Sequence, residues 1–196
     1  MSNLSTTAED ILAVARTLII NGGYNGFSYA DISEVVGIRK ASIHHHFPSK
    51  VDLVRELVKR YREDGQAGVA ALEQNVPNAL DILKVYSTHW SKCIEDASRP
   101  YCVCALLASE LPSLPPEVAA EVTAFFRFIS SWLGSVMERG SKEGTLTLSS
   151  EPDVEAEAFL ATVYGAMLSA RAYGSPKVFG TILAPTLSRL TPNAAH

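Results

Sequence analysis

Apolar residues recur along most of this chain at intervals of three and four positions, which is the spacing of one face of an α-helix. The segment from Ile11 to Ile19 shows this spacing first, and no segment shows the strict alternation that is typical of a half-buried β-strand. Glycine and proline separate the periodic segments, because both residues end helices readily. The pattern predicts an all-α fold with two short helices within residues 27–50 and further helices over residues 8–21, 49–75, 77–97, 102–111, 117–143, 153–173 and 177–190.

The two short helices within residues 27–50 are joined by a single glycine. Ser28 can cap the first of them, with Asp31 three residues later as the partner in a capping box. Gly37 supplies the turn, since glycine adopts positive φ without a steric penalty. The apolar face of the first helix is predicted to consist of Ile32, Val35 and Val36. A helix, a tight turn and a second helix form the helix-turn-helix layout, in which the second helix enters the DNA major groove.

The second short helix has an apolar side and a polar side. At about 100° per residue, Ile43 and Phe47 share the inward side, and Pro48 ends the helix. The other side carries Ala41, Ser42 and His45, flanked by Arg39, Lys40, His44 and His46. Small and hydrogen-bonding side chains permit close contact with bases and phosphates. The pattern alone is equally consistent with a solvated surface helix.

Composition and charge narrow the class of protein. The 196 residues are 47% hydrophobic and 19% charged, with a net charge of −4, as in an ordinary globular protein. Residues 1–50 carry four basic and four acidic side chains. DNA binding would therefore depend on where individual charges lie and not on a strongly positive domain.

The chain has no segment that predicts a membrane span or a secretory signal, and its three cysteines form no disulfide framework. We therefore expect a cytoplasmic protein with reduced thiols and no membrane partner. A nucleophile elbow, a P-loop and a His-x-x-x-His pair are absent from the sequence. We expect neither an enzyme nor a cofactor.

The segment FSYADISEVVG followed by IRKASIHHHFPSK resembles the DNA-binding signature of TetR-family transcriptional regulators. The resemblance implies an N-terminal three-helix domain over residues 1–50 and a helical ligand-binding and dimerisation domain over residues 51–196. It also implies a homodimer that binds palindromic double-stranded operator DNA, usually as a repressor that a small ligand releases. A regulator of the same fold without a small-molecule inducer, or an activator, is the alternative.

The resemblance also implies which residues contact DNA. Ser42 lies where the family commonly has a Thr or Ser that contacts DNA, and Lys50 matches a lysine that reaches a phosphate. His44 departs from the family pattern, since a tyrosine typically contacts a phosphate there. Ser28 and Tyr29 match the start of a helix whose N-terminal amides suit a phosphate. The predicted DNA-contacting residues are Ser28, Tyr29, Arg39, Lys40, Ser42, His44, His45, His46 and Lys50.

Three consecutive histidines also suggest a metal site. Neighbouring helical positions point about 100° apart, so the three imidazoles cannot converge on one ion as an i, i+4 pair can. We therefore expect no metal here.

The C-terminal half carries the candidates for effector binding. Several aromatic residues lie on helices that the resemblance places around a cavity, although plain core packing explains each of them as well. Cys102 lies eight residues before Glu110, a spacing similar to that in an electrophile- and redox-sensing branch of the family, but a buried, inert thiol is the alternative. The predicted ligand-binding residues are Tyr86, Trp90, Cys93, Cys102, Phe125, Phe128, Trp132, Tyr164 and Met167.

Small residues are frequent in the last two predicted helices, and they allow helices to approach closely. Such helices suit a dimer interface with two-fold symmetry, which would place two recognition helices in successive major grooves. The small residues in question are Ala158, Ala161, Gly165, Ala166 and Ser169.

Overall fold

The computed structural model describes residues 6–96 and 101–192, and within these ranges it contains α-helices and no β-strand. The predicted all-α fold is confirmed. Most predicted helix boundaries agree with the structure within two residues; the predicted end of the fifth helix, Ala97, lies outside the described residues. The helices are α1 (Thr6–Gly22), α2 (Tyr29–Val36), α3 (Lys40–His46), α4 (Lys50–Asn75), α5 (Ala79–Asp96), α6 (Val103–Ser109), α7 (Pro116–Lys142), α8 (Pro152–Ala172) and α9 (Lys177–Leu190).

The chain forms two compact units, and the first consists of residues 1–64 and 102–126. In this unit α1 contacts α2, α3 and α6. Its core contains the fully buried side chains of Ile11, Ile19, Ile32, Ile43 and Leu53. The apolar spacing that predicted α1 to α4 is therefore the spacing of residues that meet in one core.

Two local predictions about α2 are confirmed and one is wrong. Ser28 and Asp31 form the complete capping box, and Gly37 ends the helix with φ 74°. Val35, predicted to be on the apolar face, is 65% exposed. The helix has only two turns and buries the side that carries Tyr29 and Ile32, so Val35 points to solvent.

The second unit consists of residues 65–101 and 127–196. Its most extensive helix pair is α8 with α9, and α5 packs against both. The start of α8 lies beside the end of α9, because Arg189 donates two hydrogen bonds to the buried carboxylate of Glu155, at 2.8 and 3.0 Å. The two helices are therefore antiparallel. Phe159 of α8 and Phe179 of α9 are buried in the core of this unit.

None of the described helices is both long enough and apolar enough to cross a membrane.

Candidate functional site

The recognition-helix candidate, α3, is held in place by three buried side chains. Ile43 is fully buried and Phe47 is 4% exposed. Tyr29 of α2 donates a hydrogen bond from its hydroxyl to the main-chain carbonyl of Phe47 at 2.9 Å, in a buried position. Burial raises the pKa of Tyr29 to about 12, which favours the protonated hydroxyl that donates this hydrogen bond. The inward side predicted for α3 is confirmed.

The opposite side of α3 faces solvent with polar groups. Arg39, Lys40, His44 and His45 are exposed, whereas Ser42 and His46 are half-buried. His44 has a defined position, since its Nδ1 lies 3.1 Å from the carbonyl oxygen of Pro48. Its ring also packs edge-on against Tyr29, with centroids 4.8 Å apart. The structure therefore presents two imidazoles and two cations on one exposed surface.

The N-terminus of α2 is capped by its own side chains. Ser28 accepts a hydrogen bond from the backbone N–H of Ala30, and the Asp31 carboxylate accepts from the backbone N–H and hydroxyl of Ser28 at 2.7 and 2.8 Å. These hydrogen bonds with Ser28 lower the pKa of Asp31. A phosphate that approached this helix end would meet the Asp31 carboxylate and amides that already donate to side chains. Phosphate binding at the start of α2 stays a prediction.

Lys50, predicted to reach a phosphate, is engaged within the protein. Its ammonium group donates a hydrogen bond to the carbonyl of Phe27 and lies 4.1 Å from the centroid of the Phe27 ring and 4.9 Å from that of Tyr24. Burial lowers the pKa of Lys50. In this conformation Lys50 joins the start of α4 to the turn that precedes α2.

The structure divides the predicted ligand-binding residues between the two units. In the second unit, Tyr86 contacts the ring of Trp90 at 6.4 Å and that of Trp132 at 5.5 Å between centroids. Met167 is buried, and Phe128 and Tyr164 are half-buried. The half-buried Cys93 lies 3.6 Å from the Nε2 atom of His89. Phe125 and Cys102 belong to the first unit.

Cys102 lies in a buried group of polar side chains in the first unit. Burial by itself raises the pKa of this thiol, but hydrogen bonds from Cys104, from Tyr61 and from the backbone N–H groups of Ala105 and Cys104 lower the pKa to about 7. Burial raises the pKa of Cys104, and its hydrogen bond with Cys102 raises it further. The Arg16 guanidinium lies 4.9 Å from the centroid of the Tyr61 ring. Cys102 and Cys104 are both fully buried, so a reagent would reach them only if the helices moved.

Sequence reasoning missed the link between α6 and the turn that precedes α2. The carboxylate of Glu110, directly after α6, accepts a hydrogen bond from the backbone N–H of Tyr24 at 3.0 Å. It lies so close to Gly23 that a Cβ atom there would be 2.2 Å from Glu110 Oε1. The glycine pair predicted the end of α1, but no local pattern could identify a partner 86 positions away.

Comparisons with known proteins agree with these observations. Residues 11–57 match the family described as "Bacterial regulatory proteins, tetR family", and residues 79–184 match the family described as "Tetracyclin repressor-like, C-terminal domain". The crystal structure of a TetR-family regulator from Agrobacterium tumefaciens is 58% identical, with a TM-score of 0.93 over 95% of this chain and 98% of its own. A TetR regulator from Legionella pneumophila is 28% identical, with a TM-score of 0.86 over 96% of this chain and 100% of its own. The HTH-type transcriptional repressor KstR2 of Rhodococcus jostii (strain RHA1) is 26% identical over 158 residues, which are 79% of this chain and 74% of that repressor.

Proposed function

Since the chain belongs to the TetR family of bacterial regulatory proteins, we propose that it is a transcriptional repressor that binds a palindromic operator as a homodimer in the cytoplasm and that a small molecule or a thiol-reactive compound releases it. The observation that carries the proposal is the exposed polar side of α3 on a helix that Ile43, Phe47 and Tyr29 hold from behind. The similarity to KstR2, which is named a repressor, favours repression over activation.

The positive charges at the start of α3 suit the phosphates of a DNA duplex. Arg39 and Lys40 lie at the N-terminal end of the exposed surface, where they can pair with phosphates. His44 and His45 offer ring nitrogens to bases or phosphates farther along the helix. Because the net charge is −4, such local contacts, and not a general attraction to DNA, would account for most of the affinity.

A second copy of the chain would cover α8. Five of the exposed residues of this helix form an apolar stripe at alternating intervals of four and three positions, beside the exposed Asp153 and Glu157, and Leu168 in the stripe is 61% exposed. A stripe with this spacing follows one side of a helix, and its small residues leave room for a partner helix. The stripe consists of Val154, Ala158, Ala161, Gly165 and Leu168.

The dimer is tested by sedimentation of the full chain at micromolar concentration. We expect the unmodified chain to be a dimer and Leu168→Glu to be a monomer, because the substitution buries an unpaired charge in the interface. Val85→Glu is the matched control, since Val85 is 44% exposed on α5, outside the stripe. A monomeric unmodified chain, or a dimer that survives Leu168→Glu, would contradict the proposed interface.

Operator binding is tested by selection from random-sequence duplex DNA, followed by affinity measurements at fixed salt. We expect enrichment of two inverted half-sites about one helical turn apart, since a symmetric dimer presents two α3 helices. His45→Ala should weaken binding about tenfold, whereas the control His89→Ala, which removes an exposed histidine from α5, should not. Failure to enrich any sequence would refute the proposal.

Release by a thiol-reactive compound is favoured by the hydrogen bonds that lower the pKa of Cys102. A small ligand is favoured by the aromatic cluster around Tyr86 in the second unit. The two routes of release are distinguished by alkylating the purified repressor and its Cys102→Ser variant and measuring operator binding. If alkylation leaves operator binding unchanged, the thiol route is excluded and the small-ligand route remains.

A further inference from the structure

The two tryptophans of this chain have an unusual feature in common. Trp90 is 6% exposed and Trp132 is 8% exposed, yet neither indole Nε1 has a hydrogen-bond partner among the described residues. Buried polar groups are nearly always hydrogen-bonded, so each exception calls for an explanation. Nitrogen atoms of Arg139 and Arg171 in the same unit also lack a partner, but the two tryptophan donors are uncharged.

Both indoles pack against one side chain. The Tyr86 ring lies 6.4 Å from Trp90 and 5.5 Å from Trp132 between centroids, and it lies 6.4 Å from Phe159. The two donors are thus part of one cluster of four aromatic rings. Flat apolar molecules pack well among such rings, because edge-on and offset contacts with them are favourable.

From the two unpaired donors in this aromatic cluster we infer that the repressor binds, beside Tyr86, a neutral aromatic carbonyl compound whose oxygen accepts hydrogen bonds from the indole N–H groups of Trp90 and Trp132. A carbonyl oxygen has two lone pairs and can accept from two donors. The inference rests on the proposed function, since it assigns a chemical class to the proposed effector.

The charges of the second unit favour a neutral ligand. Each of its described lysines and arginines is exposed or ion-paired, except Arg171, which is stacked on Tyr101 and has a buried Nη1 atom without a hydrogen-bond partner among the described residues. An anion beside the indoles would lose its hydration, which is unfavourable unless Arg171 reaches it. A neutral carbonyl compound accepts hydrogen bonds from both indole N–H groups and has no charge to desolvate.

The experiment uses the full chain labelled with ¹⁵N and follows the two indole N–H signals during titration. Because the chain contains two tryptophans, both signals report on this cluster, and the variants Trp90→Phe and Trp132→Phe assign them. The probes are acetophenone, ethylbenzene and benzoate, which share an aromatic ring but differ in the acceptor and in charge. We expect acetophenone to move both indole proton signals downfield and to bind about five- to hundredfold more tightly than ethylbenzene, the gain typical of two hydrogen bonds. Benzoate should bind more weakly than acetophenone.

The variants separate hydrogen bonding from packing. Trp90→Phe and Trp132→Phe keep an aromatic ring but remove the donor, so each should reduce the preference for acetophenone over ethylbenzene. Phe159→Leu keeps both donors and should weaken both probes while the preference stays. The inference is overturned if either indole signal stays in place with acetophenone, if ethylbenzene or benzoate binds as tightly as acetophenone, or if the preference survives both tryptophan variants.

This outcome is independent of the test of the proposed function. If the indole signals do not respond but a palindromic operator is still bound, the ligand class is wrong and the repressor proposal stands. If the indole signals respond as expected but no operator is enriched, the repressor proposal is refuted and the ligand class stands.

Discussion

Tyr29 has two candidate roles, a contact with DNA and a buried hydrogen bond that stabilises the fold. The sequence predicts that Tyr29 contacts DNA at the N-terminal amides of α2, whereas the structure directs its hydroxyl inward to the carbonyl of Phe47 at 2.9 Å. The substitution Tyr29→Phe removes this hydrogen bond and leaves the ring against His44 in place. It also leaves the backbone amide at the start of α2 unchanged. The variant therefore tests the hydroxyl alone.

The expected loss of stability follows from the burial of the hydrogen bond between Tyr29 and Phe47. Tyr29 is 9% exposed, so its removal leaves a carbonyl with poor access to water, which costs about 1–3 kcal/mol. For a chain of this size each kcal/mol lowers the midpoint of thermal unfolding by about 2–4 °C. Because the pKa of Tyr29 is raised to about 12, its stabilising effect is fully present below the pKa of an unfolded tyrosine. It is lost as the pH rises through the folded value.

Operator affinity should change much less than stability. A domain with about 5–15 kcal/mol of stability stays almost entirely folded after this loss, so the fraction able to bind DNA hardly falls. We expect the affinity of Tyr29→Phe to stay within about threefold of the unmodified protein. A phosphate contact by the hydroxyl would give the opposite result, with unchanged stability and weaker binding.

The assay is urea unfolding followed by circular dichroism at one protein concentration, because dimer formation makes stability concentration-dependent. Operator affinity is measured on the same samples. Tyr173→Phe is the matched control, since Tyr173 is 75% exposed and should change stability by less than about 0.5 kcal/mol. Equal stability of the two variants would refute the assignment of a buried hydrogen bond to Tyr29.

Three further predictions follow from local geometry. Gly37→Ala should cost about 1 kcal/mol, because φ is +74° but a Cβ meets no atom within 4 Å. Gly23 has the same φ, and a Cβ there would lie 2.2 Å from a carboxylate oxygen. Gly23→Ala should therefore lose more stability than Gly37→Ala in urea unfolding, and equal losses would contradict this close approach. Peptide-resolved mass spectrometry of iodoacetamide-treated protein should show alkylation of Cys102 rising with a midpoint near pH 7, since its pKa is about 7. Tyr61→Phe should move that midpoint to higher pH, and an unchanged midpoint would exclude the tyrosine hydrogen bond. Glu155→Gln should cost about 1–2 kcal/mol at pH 7, because it weakens a paired, charge-assisted contact whose partner is 42% exposed. Hydrogen bonds lower the pKa of Glu155, so its contribution is present above the pKa of an unfolded glutamate and is lost as the pH falls through the lowered value. The two proteins should therefore become equally stable in acid, and a constant difference would contradict the assignment.

The sequence by itself determined the features that depend on neighbouring residues. Apolar spacing predicted the helices because a helix face repeats every three to four positions. Gly37 and the pair Ser28 and Asp31 predicted the turn and cap of α2, since both depend on backbone groups a few residues away. The exposed side of α3 followed from Ile43 and Phe47 in the same way.

Only the tertiary structure decided which distant groups meet. The pattern of α2 placed Val35 on the apolar face, but packing against α1 and α3 left it exposed. The lysine at position 50 could reach either a phosphate or a carbonyl, and the fold brings it to Phe27. Long flexible side chains and unpaired donors have no periodic signature, so their partners depend on elements far apart in the chain. For the same reason the sequence could name Trp90 and Trp132 as candidates, but only the folded chain showed that both indoles pack on one tyrosine and lack an acceptor among the described residues.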